Sequence, residues 1–307
     1  MADDILRGKQ IVNISETAKQ GIKNLGTELS GVEKNEGFVG PNKSLLLDHI
    51  FTFVGLAGGV GTSTLVANTA YTLKKRGHSV IVIDLNILYP IQHSFFKIKQ
   101  EIETKDLFSF LAGECRLGEA IRYPSGKDIG VMVANNRGLV DALDADSKDA
   151  STALTEGLER LASLFDFVLI DCGNNISNEL YNTALYKADR IIAVMDENIE
   201  CLSNYHRLAS AMGVCGIDYT RVKAILNKRT SIQYQKSTFK DFNIDLLAVL
   251  PFDLSIVESG LRGELFCHKG ASSSKTAAVF TARIKDVAES MEKLGGNTSE
   301  ESLDMDV

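Results

Sequence analysis

From His49 onward the chain alternates between short apolar runs rich in valine and isoleucine and longer amphipathic stretches. Seven runs predict strands, at residues 50–54, 79–83, 130–134, 167–170, 190–195, 222–226 and 246–250. They are continuously apolar rather than alternating, as expected of strands buried on both faces of a parallel sheet. Between most of them lie stretches with apolar residues at helical spacing, at 65–75, 151–164, 178–187, 201–212 and 274–294. That order predicts an α/β fold, a doubly wound, mostly parallel β-sheet flanked by helices on both faces. Ligands of such sheets bind beyond the carboxyl ends of the strands.

Residues 1–46 break the pattern. Ile14, Ala18, Ile22, Leu25 and Leu29 fall at helical spacing, Gly21 and Gly26 weaken that helix, and a polar stretch at 31–42 reads as a linker. Acidic and basic residues balance over 1–29, which favours a protein partner over a lipid surface. The expected organisation is an N-terminal extension over 1–46, one α/β domain over 47–294, and a disordered acidic tail over 295–307.

Hydrophobic residues make up 44% of the 307 and charged residues 24%, ordinary values for a soluble globular protein. The net charge of −7 argues against nucleic acid as a partner. The five cysteines (Cys115, Cys172, Cys201, Cys215 and Cys267) show no CxxC or Cys/His spacing, so free thiols in a reducing compartment are expected. No apolar run reaches the ~18 residues of a membrane span and no signal peptide is evident, which predicts a cytoplasmic protein.

The chemistry concentrates at three strand ends. The glycine-rich stretch from Gly55 to Thr64 follows the first strand, opens a helix, and fits the P-loop template, with the template's lysine falling at Thr62. Gly58, Gly59, Val60, Gly61, Thr62, Ser63 and Thr64 are therefore candidate phosphate-binding residues, through backbone N–H groups and a helix N-terminus. The second strand runs into Asp84-Leu85-Asn86, and a later one ends at Asp171. Because Mg²⁺ takes oxygen ligands and keeps several waters, Ser63, Asp84 and Asp171 form a candidate metal set.

The ordered motifs resemble the MinD/ParA superfamily. Gly58 to Thr64 is similar to its deviant Walker A loop, with Ala57 where the family's signature lysine stands and Thr62 where its P-loop lysine stands. Asp84-Leu85-Asn86 resembles the family's DxD, with Asn86 at the second acid, and the strand ending in Asp171 resembles Walker B. Asn227 and Lys228 resemble the adenine-facing Asn-Arg/Lys pair, and Pro251, Phe252 and Asp253 the IPxD segment. The loop GGVGTST is closest in form to the TadZ/CpaE group, which places pilus and secretion machinery. Many members of that group carry an N-terminal receiver-like domain, for which 46 residues are too few.

The resemblance implies bound ATP or ADP with Mg²⁺ and a homodimer, and a protein partner from a cell-envelope assembly. In the family the two lysines touch phosphates. Losing two hydrogen bonds to charged groups costs about 3–6 kcal/mol, or roughly 10²–10⁴ in affinity. Asp84 and Asn86 remain as degenerate water-positioning candidates, but Asn86 cannot take a proton. Arg137, Lys228 and Arg229 are candidate substitute cations. The leading expectation is a nucleotide-bound dimeric scaffold with weak or absent hydrolysis. The alternatives are an active ATPase switch for DNA or cargo partitioning, and a pseudo-P-loop protein that binds no nucleotide.

Overall fold

The computed structural model describes residues 49–99, 105–124, 129–134, 148–174, 179–214, 216–230, 239, 243–268 and 274–295. The expected N-terminal extension, the acidic tail and Arg137 lie outside the described residues.

Seven strands among the described residues form one sheet: β1 (Ile50–Gly55), β2 (Val80–Asp84), β3 (Ile129–Met132), β4 (Phe167–Asp171), β5 (Arg190–Met195), β6 (Val222–Arg229) and β7 (Leu246–Pro251). Their order is β3-β2-β4-β1-β5-β6-β7, and every neighbouring pair is parallel. Every residue of β1, β2, β3 and β4 is buried, which explains why their sequences read as continuous apolar runs.

The described helices are α1 (Thr62–Lys75), α2 (Gln92–Phe95), α3 (Leu107–Leu111), α4 (Leu117–Ala120), α5 (Lys148–Leu164), α6 (Glu179–Lys187), α7 (Ile199–Val214), α8 (Leu254–Leu261) and α9 (Lys275–Gly295). The contacts sort the long ones into two layers. α1 covers β2 and β4 and packs against α9, which also covers β7, while α5, α6 and α7 lie over β4, β1 and β5. The chain winds outward from β1 through β2 to β3, returns to β4, then crosses β1 to begin again at β5. The winding reverses around β1, so a crevice is expected at its carboxyl end.

The sequence reading locates every strand but not every boundary. Ser79, expected in the second strand, precedes it. Its backbone N–H and hydroxyl both donate to Asp166 Oδ2 at 2.9 Å, pinning the start of β2 to that of β4. Asp84 and Asp171, expected just beyond or at strand ends, are the last residues of β2 and β4 and stand opposite each other in register. Helices α2, α3, α4 and α8 were not foreseen, because four to eight residues are too few to display a helical period.

Lys74, Lys75 and Arg76 close α1, where positive charge suits a helix C-terminus. Arg76 also clamps α1 to α9. Its Nε and Nη2 donate to the two oxygens of Glu292 at 2.7 and 2.8 Å, and Nη1 donates to Glu289 at 2.9 Å. The Arg76 hydrogen bond holds the Glu292 carboxyl below its usual range. A depressed folded value means the contribution is present above the unfolded value, near 4.5, and is lost as pH falls through the folded one. With the guanidinium one-third exposed, screening limits the clamp to about 0.5–1 kcal/mol. Glu292→Gln should therefore lower stability by that amount at pH 7 in chemical denaturation, and the deficit should shrink progressively as pH falls below about 4.5. A deficit that does not change as pH falls through the acid range would contradict the clamp.

Candidate functional site

The loop between β1 and α1 is built from the main chain outward. At its start, the Gly55 N–H donates to the Gly173 carbonyl at 2.6 Å and the Leu56 N–H to the Val194 carbonyl at 2.8 Å, tying it to the ends of β4 and β5. A Cβ on Gly55 would lie 2.7 Å from Thr62 Oγ1, so this approach requires glycine. Gly61, the N-cap of α1, has φ 95°, and a Cβ there would meet Asn227 Nδ2 at 2.6 Å.

Side chains from other strands and helices occupy the loop's carbonyls. Asn204 Nδ2 donates to Leu56 O at 2.6 Å, Asn227 Nδ2 to Val60 O at 2.8 Å, and Lys228 Nζ to Gly59 O. The backbone N–H groups of residues 57–64 find no acceptor among the described residues. The first turn of α1 carries no acidic residue and no side-chain cap. Free N–H groups at the positive end of a helix make a site for an anion.

The loop walls a cavity of about 320 Å³, within the range of small-molecule sites. Among the predicted residues, Gly59, Val60, Gly61, Thr62, Ser63, Thr64, Asn86, Asn227, Lys228, Pro251, Phe252 and Asp253 line it. Gly58 does not; its α-carbon faces the Asn174 side chain. Asp84 and Asp171, both fully buried, are not on the wall either. Ala57, Gly173, Asn174, Ile256, Val257, Gly260, Leu261 and Phe280 complete the lining; Ile256 and Val257 continue the segment that resembles IPxD, whereas Gly260 and Leu261 of α8 and Phe280 of α9 were not singled out by motif matching. Thr62 is buried with its hydroxyl turned toward Gly55, so no cation stands at the P-loop lysine position.

Asn227 and Lys228 reach the loop because of a register shift. From the pair Leu226–Val249 to the pair Arg229–Pro251, β6 advances three residues while β7 advances two. Such a bulge re-aims side chains. Lys228 takes the left-handed conformation there, φ 53°, uncommon for a residue with a Cβ. The chain of Asp253 is committed locally: it caps α8, accepting from the Ser255 N–H at 2.9 Å and from the hydroxyls of Ser255 and Ser274 at 2.5 Å. The Ser255 and Ser274 hydroxyls hold its carboxyl below the usual range.

Two carboxylates lie together under the loop. Asp84 Oδ2 accepts from the Ile91 and Gln92 N–H groups at 2.9 and 2.8 Å, and Oδ1 accepts from the Asn86 N–H at 3.2 Å. Asp171 accepts from Gln92 Nε2 at 2.8 Å, from the Gly173 N–H at 3.2 Å, and from the Ser63 hydroxyl. Burial pushes the Asp84 carboxyl well above its usual range, the Asp171 charge pushes it further, and the three N–H groups oppose the rise. Burial likewise raises Asp171, opposed by Ser63, Gln92 and Gly173. A nearby cation would favour the charged form of both carboxyls. Burial and the same two acids raise the Cys172 thiol, which stays protonated as a small apolar residue.

Gln92, which sequence reasoning missed, joins the cluster. It is fully buried, its Nε2 also donates to the Ser63 carbonyl at 3.1 Å, and its Oε1 has no hydrogen-bond partner. No three His, Cys, Asp or Glu side chains gather into a metal cluster among the described residues. Mg²⁺ does not need one, since it keeps waters and takes one or two carboxylates with phosphate oxygens. Ser63 and Asp171 suit it. Asp84 also holds the 86–92 segment through the Asn86, Ile91 and Gln92 N–H groups, just as both oxygens of Asp171 are engaged by Gln92 and the Gly173 N–H.

A family profile described as an AAA domain matches residues 49–213. A septum site-determining protein MinD of Chlorella vulgaris is 25% identical over 261 residues, covering 80% of this chain and 86% of its own. The cell division ATPase MinD of Pyrococcus furiosus has a TM-score of 0.67 at 25% identity, over 80% of this chain and 99% of that one. MinD of Pyrococcus horikoshii, complexed with Mg-ADP, has a TM-score of 0.67 at 24% identity, over 81% of this chain and 97% of that one, and shows the shared fold.

The packing of Gly61 against Asn227 can be isolated by comparison with Gly77, which also has positive φ, 98°, but open space around it. Both Gly→Ala changes should cost about 1–2 kcal/mol from backbone strain. Gly61→Ala should cost about 1 kcal/mol more, by displacing the Asn227 amide from the Val60 carbonyl. Equal losses in denaturant titration would show that Asn227 does not hold the loop.

Proposed function

The chain belongs to the MinD/ParA superfamily, through the AAA-domain match over residues 49–213, and from that premise we propose that it is a nucleotide-binding scaffold with weak or no ATPase activity. One observation carries the reading: the loop's N–H groups are free at a cavity of nucleotide size, while Ala57 and the buried Thr62 stand where catalytic-grade cations would. Main-chain donors and a helix N-terminus bind phosphate without needing side-chain charge. Transfer of a phosphoryl group asks for more, because charge developing on it requires positioned cations.

In this reading the loop amides of residues 57–64 hold the phosphates of ATP or ADP. Ser63 and Asp171 hold Mg²⁺, which supplies charge neutralisation to the phosphate oxygens when bound. Asn227, with Pro251 and Phe252, forms the wall for the base. Asn86 faces the cavity and can orient a water, but an amide cannot accept its proton as a carboxylate would. A homodimer that persists without turnover, acting as a positioning factor for a pilus- or secretion-type assembly, is supported by the GGVGTST loop alone. The adaptor role is that of a cytoplasmic protein docking on a protein partner. No described helix is long and apolar enough to cross a membrane.

Calorimetric titration with Mg-ATP should give one site per chain with Kd between about 1 µM and 1 mM, with phosphate release near background. An empty site at millimolar Mg-ATP would overturn the binding half. Turnover at the rate of an active MinD-type enzyme would overturn the other half and favour the ATPase switch. Thr62→Lys should tighten Mg-ATP by roughly 10–100-fold, the value of one hydrogen bond to a charged group.

A further inference from the structure

Among the described residues, little charge lines the cavity. Its lining contains one basic residue, Lys228, and one acidic residue, Asp253, whose carboxylate is engaged by Ser255 and Ser274. Other basic residues lie elsewhere. Lys74 and Lys75 are in the last turn of α1 and Arg76 is clamped to α9. Arg229, next in the chain, is exposed and does not line the cavity. Among the described residues, Lys228 alone combines position, reach and a backbone bent toward the loop.

The geometry points to Lys228 as the substitute for the missing P-loop lysines: its ammonium, arriving from β6 rather than from the loop itself, takes the phosphates of a nucleoside di- or triphosphate. This rests on the nucleotide reading above and assigns the charge that reading lacks. The ammonium already sits at the phosphate loop, donating to the Gly59 carbonyl, and its Cε lies 3.9 Å from where a Cβ on Gly61 would be. An ammonium has three donors. The Gly59 carbonyl takes one, and no second acceptor stands against it among the described residues. An anion cradled by the loop amides would take the others. The left-handed backbone at Lys228 costs on the order of 1–2 kcal/mol and is retained by the β6 bulge, as strained residues at binding sites often are.

This differs from the base-facing position that the resemblance implies for Lys228, and the two separate cleanly by ligand. A lysine on the phosphates matters for anions and not for a nucleoside; a lysine over the base matters for both ATP and adenosine. The test is calorimetry with Mg-ATP, inorganic tripolyphosphate with Mg²⁺, and adenosine, on the parent protein, Lys228→Met and Lys228→Arg. Lys228→Met keeps the apolar stem, and its melting temperature reports whether the loop has survived.

Lys228→Met should weaken Mg-ATP and tripolyphosphate about 10–100-fold, leave adenosine unchanged, and flatten the salt dependence of Mg-ATP affinity. Lys228→Arg should recover most of the loss. An unchanged Mg-ATP affinity in a folded Lys228→Met would overturn the proposal, as would a parallel loss of adenosine. If Lys228→Met melts early, the Arg variant decides: a folded Lys228→Arg with Met-like anion affinity overturns it, and parent-like affinity supports it. A parent that binds neither anion would fail both this inference and the nucleotide reading, whereas a parent that binds Mg-ATP with Lys228→Met equal to it fails the inference alone.

Discussion

Everything at this site follows from where the loop's carbonyls go. A buried or half-buried backbone must pair its polar groups, and here the carbonyls of Leu56, Gly59 and Val60 are paired to the side chains of Asn204, Lys228 and Asn227. With these acceptors engaged from α7 and β6, the N–H groups at the start of α1 are left without a partner among the described residues. Three side chains far away in sequence thus orient a main-chain anion site. Glycine at 55 and 61 is the sequence's share of that arrangement, since a Cβ at either would collide with Thr62 or Asn227.

The sheet makes this convergence possible. Parallel strands bring the ends of β1, β2, β4, β6 and β7 to one edge, and the winding reversal around β1 opens the space between them. Charge is then distributed unevenly through the edge. Two buried carboxylates, Asp84 and Asp171, face each other in register, pushed upward by burial and held by N–H groups, Ser63 and Gln92. Above them the loop is electrically neutral at Ala57 and Thr62. Among the described lining residues one ammonium, Lys228, reaches the loop from β6. Membership of the MinD/ParA superfamily accounts for the frame, while the neutral loop residues set this chain's own chemistry.

The strands were legible because burial on both faces leaves an apolar run that nothing else in the chain imitates, and the long helices because their period repeats over three or more turns. The glycine loop and the missing lysines could be read directly from Gly55 to Thr64. Other parts depend on tertiary neighbours. Gln92 bonds to Ser63 and Asp171, 29 and 79 positions away, with no motif to announce it. The β6 bulge that aims Lys228 is a mismatch between two strands and exists in neither sequence alone. Asp84, legible as an acid after a strand, turned out to be enclosed by the 86–92 backbone. Helix α8, with Leu254 and Leu261 exposed, is too short to display a period.

The central claim is that unpaired loop amides, not side-chain charge alone, grip the phosphates. Amide hydrogen exchange resolved to single residues tests it most directly. Adding Mg-ATP should slow exchange at residues 58–64 by at least about tenfold, while the amides of Leu56 and Leu65, already bonded to Val194 and Gly61, change little. Unaltered exchange across 58–64 at a ligand concentration that saturates binding would contradict the account.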